Sequence, residues 1–203
     1  MLWHQKTKAH DFTTLGGVGL RAGRDRRLEL VRLADGGLVW SKQILWFNGE
    51  NVSAHAVEDG KKLWSYPWKE GHPYVCMPVA IGGDRVLISS GYGTGAHLAQ
   101  LSRASDGAFA VKALWRSRHL KAKFANVVIC DGFVYGLDDG RLACVDLATG
   151  RRRWKRGHYG HGQVILVGKL LLVTTETGKV VLIDPVPNEH RELTRFRALE
   201  GKT

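Results

Sequence analysis

The chain has 203 residues, of which 44% are hydrophobic and 24% are charged, so it can form one large or two small cores and is not expected to be disordered. Its 25 glycines, 5 prolines and 7 tryptophans favour an all-β protein with many tight turns. The net charge of +11 would attract polyanions, but the basic residues are scattered along the chain, which argues against a dedicated nucleic-acid role.

The first residues, "MLWHQKTKAHDF", contain no apolar segment of the length found in secretory signals and no recognisable cleavage site. No run of the sequence approaches the roughly 18 apolar residues that a membrane-spanning helix needs. We therefore expect a chain without a transmembrane segment and, as written, without a signal peptide.

Two segments of the chain repeat the same pattern, "ILWFNGENVSAHAVEDGKKLW" at 44–64 and "FVYGLDDGRLACVDLATGRRRW" at 133–154. Each has an apolar run, a turn, a second apolar run, a second turn that contains a glycine, and a tryptophan four residues after that glycine. Two looser copies end at Trp115 and at Phe196. A repeat of about 40 to 50 residues with short strands and glycine turns predicts a β-propeller with one four-stranded blade per copy.

The apolar runs are rich in β-branched and aromatic residues and are nearly continuous, as in "QVILVGKLLLVTT". Continuous apolar runs are expected where both faces of a sheet are covered by neighbouring sheets. No segment of ten or more residues has a helical period, so helix should be close to absent. We predict four-stranded antiparallel blades, about four of them, in an incomplete ring, with residues 1–42 as a degenerate N-terminal blade remnant and residues 43–203 as the propeller blades.

The turn glycines and the aromatic residue at the end of each copy are the candidate site residues, and their expected role is structural. A tryptophan can fill the wedge between two sheets, while a glycine lets the neighbouring turn approach it closely. The predicted blade-docking residues are Gly60, Trp64, Gly107, Trp115, Asp146, Thr149, Gly150, Trp154 and Phe196.

The segment "CVDLATGRRRW" resembles the tryptophan-docking repeat of the PQQ-like β-propellers, a family that includes the outer-membrane assembly lipoprotein and the quinoprotein alcohol dehydrogenases. Asp146, Thr149, Gly150 and Trp154 match its pattern, and Cys144 stands where alanine is usual. Propellers of this family typically have about eight blades. The resemblance thus implies a truncated propeller, or an arc whose open edges would self-associate or need a partner.

The quinoprotein members of the family bind PQQ with a disulfide between neighbouring cysteines and a calcium ion near a catalytic aspartate. None of these features can be placed on this sequence, because Cys76, Cys130 and Cys144 are far apart and the acidic residues sit mainly at turns. We therefore expect no cofactor, no catalytic residues and no quinone chemistry. A quinoprotein-type oxidoreductase fragment stays as an alternative.

Other candidate sites are weaker. His158 and His161 in "GHYGHG" could share a metal ion, with His55, His72 or His97 near by, but no third ligand is specified, so we predict a loop rather than a metal site. In the basic strip "RRRWKR", strand alternation would place Arg151 and Arg153 on the side opposite to Arg152 and Trp154, which would split the positive charge between two faces.

These observations predict a non-enzymatic β-propeller scaffold whose loops bind another protein, with a basic polyanion-binding module as a further alternative. The partner is not identifiable from the sequence, and the open propeller edges predict a tendency to self-associate. The resemblance implies the periplasm or cell envelope, whereas the chain as written, without a signal, would be cytoplasmic.

Overall fold

The chain is described by a computed structural model that gives eighteen β-strands and no helix in its described part. The described residues are 43–201, apart from 49, 57–58, 69–74 and 83, together with the backbone of three strands between residues 14 and 32. Within this part of the chain, no helix is long and apolar enough to cross a membrane.

The strands form five antiparallel sheets, each made of strands that are consecutive in the sequence. The N-terminal sheet has three strands: β1 (Thr14–Leu15), β2 (Val18–Ala22) and β3 (Leu28–Arg32). Blade 1 also has three: β4 (Gln43–Phe47), β5 (Asn51–Ala56) and β6 (Lys62–Pro67).

The next three sheets have four strands each. Blade 2 consists of β7 (Val79–Ile81), β8 (Arg85–Ser90), β9 (Gly95–Arg103) and β10 (Phe109–Ser117). Blade 3 consists of β11 (Val128–Cys130), β12 (Phe133–Asp138), β13 (Arg141–Asp146) and β14 (Arg152–Arg156). Blade 4 consists of β15 (Gln163–Val167), β16 (Leu170–Thr174), β17 (Lys179–Asp184) and β18 (Arg191–Arg197).

Within every blade the strand order follows the chain, so each blade is a simple up-and-down meander joined by short turns. The turns fall at the predicted Asp-Gly and Thr-Gly pairs, for example Asp139–Gly140 between β12 and β13. The prediction of an all-β fold with about four blades in an incomplete ring is confirmed.

Three hydrophobic clusters hold the blades together, and each cluster is shared by two successive blades. The first joins blades 1 and 2 around Trp64, the second joins blades 2 and 3 around Leu98, and the third joins blades 3 and 4 around Tyr135. Burying a large apolar side chain in such a cluster contributes about 1.5–3 kcal/mol. The chain therefore has a series of wedge-shaped cores instead of one central core.

Alternation along the strands explains why the apolar runs are continuous. In β8, the side chains of Val86 and Ile88 pack against blade 1, whereas Leu87 between them packs against blade 3. In a sheet with one solvated face, every second residue of a strand is polar. Both faces of this sheet are covered, so the strand is apolar at successive positions.

We keep the division into residues 1–42 and 43–203 as a proposal.

Candidate functional site

Trp115 and Gly150 form the docking contact between blades 2 and 3. The indole N–H of Trp115 donates a hydrogen bond to the carbonyl oxygen of Leu147 at 2.9 Å. Gly150 has a φ of 68°, and a Cβ added to it would lie 2.7 Å from the indole ring. Glycine is thus required twice at this position, for its backbone conformation and for the space that the indole occupies.

Asp146 and Thr149 shape the turn that carries Gly150. One carboxylate oxygen of Asp146 accepts hydrogen bonds from the backbone N–H and from the hydroxyl of Thr149, both at 2.9 Å. These hydrogen bonds hold the pKa of Asp146 below its usual value, because they stabilise the charged form. The matching residues of the repeat therefore fix the turn against which the preceding blade packs.

Trp154 makes the equivalent contact between blades 3 and 4. Its indole N–H donates to the carbonyl oxygen of Val186 at 3.0 Å, and its ring lies 5.9 Å from that of Tyr135 and edge-on to His190 at 5.5 Å. The receiving turn in blade 4 carries Pro187 and Asn188 in place of Thr-Gly. The turn of blade 4 thus offers a backbone carbonyl to the tryptophan, as the turn of blade 3 does, although the side chains of the two turns differ.

For the other four predicted docking residues, the described contacts do not include a tryptophan that donates to a turn carbonyl of the next blade. Trp64 is buried between blades 1 and 2, but its N–H donates to Gln43 of its own blade at 3.0 Å. Around a Cβ built on Gly107, the described atoms within 4 Å belong to Arg103, and around Gly60 there are none. Phe196 is 54% exposed on blade 4.

The connections between strands lie at two opposite ends of the sheets. The β8–β9 hairpin at 91–94 and the inter-blade connections at 118–127 and 157–162 lie at one end, because successive strands run in opposite directions. The tight turns that receive the tryptophans lie at the other. We call the first end the loop face.

The loop face carries a cluster of aromatic and basic side chains, Tyr92, Lys123, Phe124 and His161. The ammonium group of Lys123 lies 4.5 Å from the ring centre of Tyr92 and 5.2 Å from that of Phe124. Phe124 also meets Tyr92 and His161 edge to face, at 6.5 and 5.5 Å. Tyr92 and Phe124 nevertheless stay 38% and 41% exposed, so the cluster presents apolar surface beside a cation.

Met77 extends this cluster toward blade 1. Its backbone N–H donates to the side-chain oxygen of Asn126 at 3.0 Å, which places it beside the connection that carries Phe124. Met77 and its neighbour Val75 are also exposed large apolar residues. Aromatic and methionine side chains are enriched where proteins meet each other.

A buried ionic centre lies beneath the loop face. The fully buried carboxylate of Asp138 contacts the ammonium groups of Lys121 at 2.6 Å and of Lys155 at 2.8 Å, and Lys121 also reaches Asp139 at 3.0 Å. Burial lowers the pKa of Lys121, but its hydrogen bonds to the two carboxylates outweigh burial and raise it. This centre ties the 118–127 connection to the β12–β13 hairpin.

Cys76 and Cys144 are free cysteines in buried surroundings. Burial raises the pKa of Cys76 to about 12 and that of Cys144 to about 11, so both thiols are protonated at neutral pH. Among the residues that the structure describes, no three histidine, cysteine, aspartate or glutamate side chains are grouped as metal ligands. His72, one of the histidines considered in the sequence, lies outside the described residues.

The predicted alternation of the basic strip is wrong. The pairing of β13 with β14 passes from Cys144–Trp154 directly to Val145–Arg152, so Arg153 is an extra residue in a β-bulge. Arg153 consequently lines the same groove as Trp154 and Arg156, together with Asn188, Glu189 and His190.

Sequence reasoning missed the aromatic cluster and the ionic centre. The signal for the cluster was present, since Tyr92 and Phe124 are aromatic residues inside segments that the repeat assigns to connections. The ionic centre gave no local signal, because Lys121, Asp138 and Lys155 belong to three different elements.

Comparison with known proteins agrees with this architecture. Residues 31–156 and 138–198 match the family model described as outer membrane protein assembly factor BamB. No curated protein sequence matches. The crystal structure of BamB from Moraxella catarrhalis superposes with a TM-score of 0.47 and 13% identity, over 92% of this chain and 75% of that chain.

A second solved structure, the computationally designed Ika8 protein, superposes with a TM-score of 0.52 and 13% identity. The match covers 98% of this chain and 64% of the Ika8 chain, so this chain spans less than two thirds of it. At this identity the likeness to Ika8 concerns the fold alone.

Proposed function

Because the chain belongs to the family of the outer membrane protein assembly factor BamB, we propose that it is a non-enzymatic β-propeller scaffold of the bacterial cell envelope whose loop face docks another protein. The observation that carries this proposal is the cluster of Tyr92, Lys123 and Phe124, in which partly exposed rings surround a cation. Such clusters supply large contact areas that are already ordered before binding.

The support for the cluster reinforces the proposal. The Asp138 centre holds the 118–127 connection from below, and the hydroxyl of Ser89 accepts from the N–H of Ala122 at 3.1 Å and donates to the carbonyl oxygen of Leu120 at 3.0 Å. A connection fixed by buried polar contacts loses little conformational entropy when a partner binds. These contacts support the proposal of a rigid platform for a partner.

Site-specific photo-crosslinking in the organism that encodes the chain tests this proposal. A photoreactive phenylalanine analogue at position 124 should give one discrete adduct, and the Tyr92→Ser substitution in the same chain should reduce that adduct several-fold. The matched control places the analogue at Ser105, an exposed residue of the β9–β10 turn at the opposite end of blade 2. Adducts of equal yield at both positions, or none at position 124, would overturn the docking proposal.

The non-enzymatic part has its own test. Titration of the purified chain with PQQ and calcium should leave its thermal unfolding midpoint unchanged. A saturable rise in that midpoint would favour the quinoprotein alternative instead, since a ligand that binds only the folded state stabilises it.

A further inference from the structure

An open groove lies at the junction of blades 3 and 4, and its lining shares no residue with the loop-face cluster. Its volume is about 380 Å³, and it lies between β14 and the segment that precedes β18. The lining residues are Arg153, Trp154, Arg156, Asn188, Glu189 and His190.

The β-bulge gives the groove its charge. In a regular strand Arg153 and Trp154 would point to opposite faces, but the extra residue in β14 places Arg153 in the lining of the groove that Arg156 also lines. Two residues whose side chains are permanently charged with the same sign therefore line one groove.

Neither arginine has a carboxylate partner within ion-pair distance among the described residues, although acidic side chains lie close by. Glu189 is held by Arg191 at 2.7 Å, and Glu192 is held by Arg195 through two contacts of 2.7 Å. Arg153 is near enough to Asp146 to help lower the pKa of that carboxyl, but the hydrogen bonds from Thr149 are the larger cause. The groove lining thus contains two arginines without an ion-pair partner and one carboxylate, Glu189, that Arg191 holds.

Apart from Glu189, the groove is lined beside the two arginines by Trp154, His190 and Asn188. Trp154 donates its N–H to Val186, and the imidazole of His190 contacts the hydroxyl of Tyr159 at 2.7 Å. Burial lowers the pKa of His190. Asn188 contributes an amide with two N–H donors.

We propose that this groove binds a phosphate-type oxyanion through Arg153 and Arg156. In this structure a single arginine satisfies a carboxylate, as Arg195 does for Glu192, so two arginines in one groove match a group of higher charge. A phosphate group supplies that charge, and its source is either a free phosphate ester or an anionic lipid headgroup. The proposal is independent of protein docking at the loop face.

The test uses the purified full chain at low ionic strength. Addition of inorganic phosphate or glycerol phosphate should shift the side-chain Nε–H NMR signals of Arg153 and Arg156 in a saturable manner. In a second arm the chain is sedimented with phosphatidylcholine vesicles that do or do not contain phosphatidic acid. Saturation with the soluble anions identifies a free ester as the source, and binding only to the phosphatidic acid vesicles identifies a headgroup.

A pair of double variants separates the groove from the overall charge. Arg153→Gln with Arg156→Gln should weaken binding at least tenfold, whereas Arg151→Gln with Arg152→Gln, which removes the same charge from exposed positions outside the groove lining, should change it less than twofold. An equal loss in both variants, no binding of any phosphate probe, or tighter binding of a polyglutamate peptide by the same arginines would overturn the proposal. The NMR signals of the unaltered chain decide the matter if the groove variant does not fold.

Discussion

Trp115 and Gly150 lie on neighbouring blades and fit each other so closely that a methyl group at position 150 would come within 2.7 Å of the indole ring. The Gly150→Ala substitution should therefore destabilise the chain by about 2–4 kcal/mol, through backbone strain and through overpacking. Gly168→Ala is the matched control, because Gly168 has a similar φ of 59° and no described atom within 4 Å of an added Cβ. It should cost only about 1 kcal/mol. Equal losses in urea unfolding would show that the indole contact contributes nothing.

Trp154 is buried and Trp46 is exposed, so replacing each with alanine should lower the free energy of unfolding by different amounts. The Trp154→Ala substitution should lower the free energy of unfolding by about 3–5 kcal/mol, because it empties the wedge between blades 3 and 4. Trp46 is 60% exposed on β4, so Trp46→Ala should cost less than about 1 kcal/mol. Comparable denaturation midpoints for the two variants would contradict the claim that Trp154 fills the space between blades 3 and 4.

The ionic centre should be sensitive to the loss of its central charge. Asp138→Ala leaves the ammonium groups of Lys121 and Lys155 without their shared partner, and we expect a loss of about 3–5 kcal/mol. Asp139→Asn removes an exposed charge from the same lysine and accepts the positive φ of 49° at this position, so it should cost less than about 1 kcal/mol. Thermal unfolding of the two variants measures the difference. Similar values would mean that the buried carboxylate of Asp138 stabilises the fold no more than the exposed carboxylate of Asp139.

His97 predicts a pH dependence of stability. Burial, with a smaller effect of Arg116, lowers its pKa to about 4 from the value of 6.5 that it has when unfolded. The unfolded chain therefore binds more protons between these values, so stability that is present above pH 6.5 is lost as the pH falls toward 4. His97→Gln should flatten this part of the profile of unfolding free energy against pH. An unchanged slope in the variant would show that other groups are responsible.

Self-association through the open end of the propeller is a further prediction. Ile165, Val167 and Phe196 lie on one face of blade 4. Residues paired across neighbouring strands share a face, and the pairs run from Ile165 through Leu172 and Leu182 to Thr194. Val167 and Phe196 each stand two positions along their strand from this row, so they lie on the same face. All three side chains are about half exposed. Replacing Ile165 and Val167 with threonine should raise the dissociation constant that sedimentation equilibrium measures. A chain that is monomeric at every concentration would refute the proposal.

The sequence predicted the parts of the fold that depend on local chemistry. Asp-Gly and Thr-Gly pairs mark turns because few residues other than glycine accept a positive φ, and continuous apolar runs mark strands that are covered on both faces. Gly150 and Trp154 could be recognised because their spacing repeats that of Gly60 and Trp64, and Trp115 could be recognised as the end of a looser copy. The bulge at Arg153 could not, because it arises from how β14 pairs with β13, and simple alternation gave the wrong face.

The loop face was harder to predict for a related reason. Tyr92, Lys123 and His161 come from three connections, and only the stacking of the blades brings their side chains together. The buried carboxylate of Asp138 looked like an ordinary turn residue in "LDDG", because its two lysines are distant in sequence.

Each of the three wedge-shaped clusters is shared by only two successive blades, so within the part of the chain that the structure describes no cluster joins every sheet. A force applied at the two ends of blades 1–4 would therefore peel the sheets away one after another, in steps of one repeat, and would not rupture the blades in a single event.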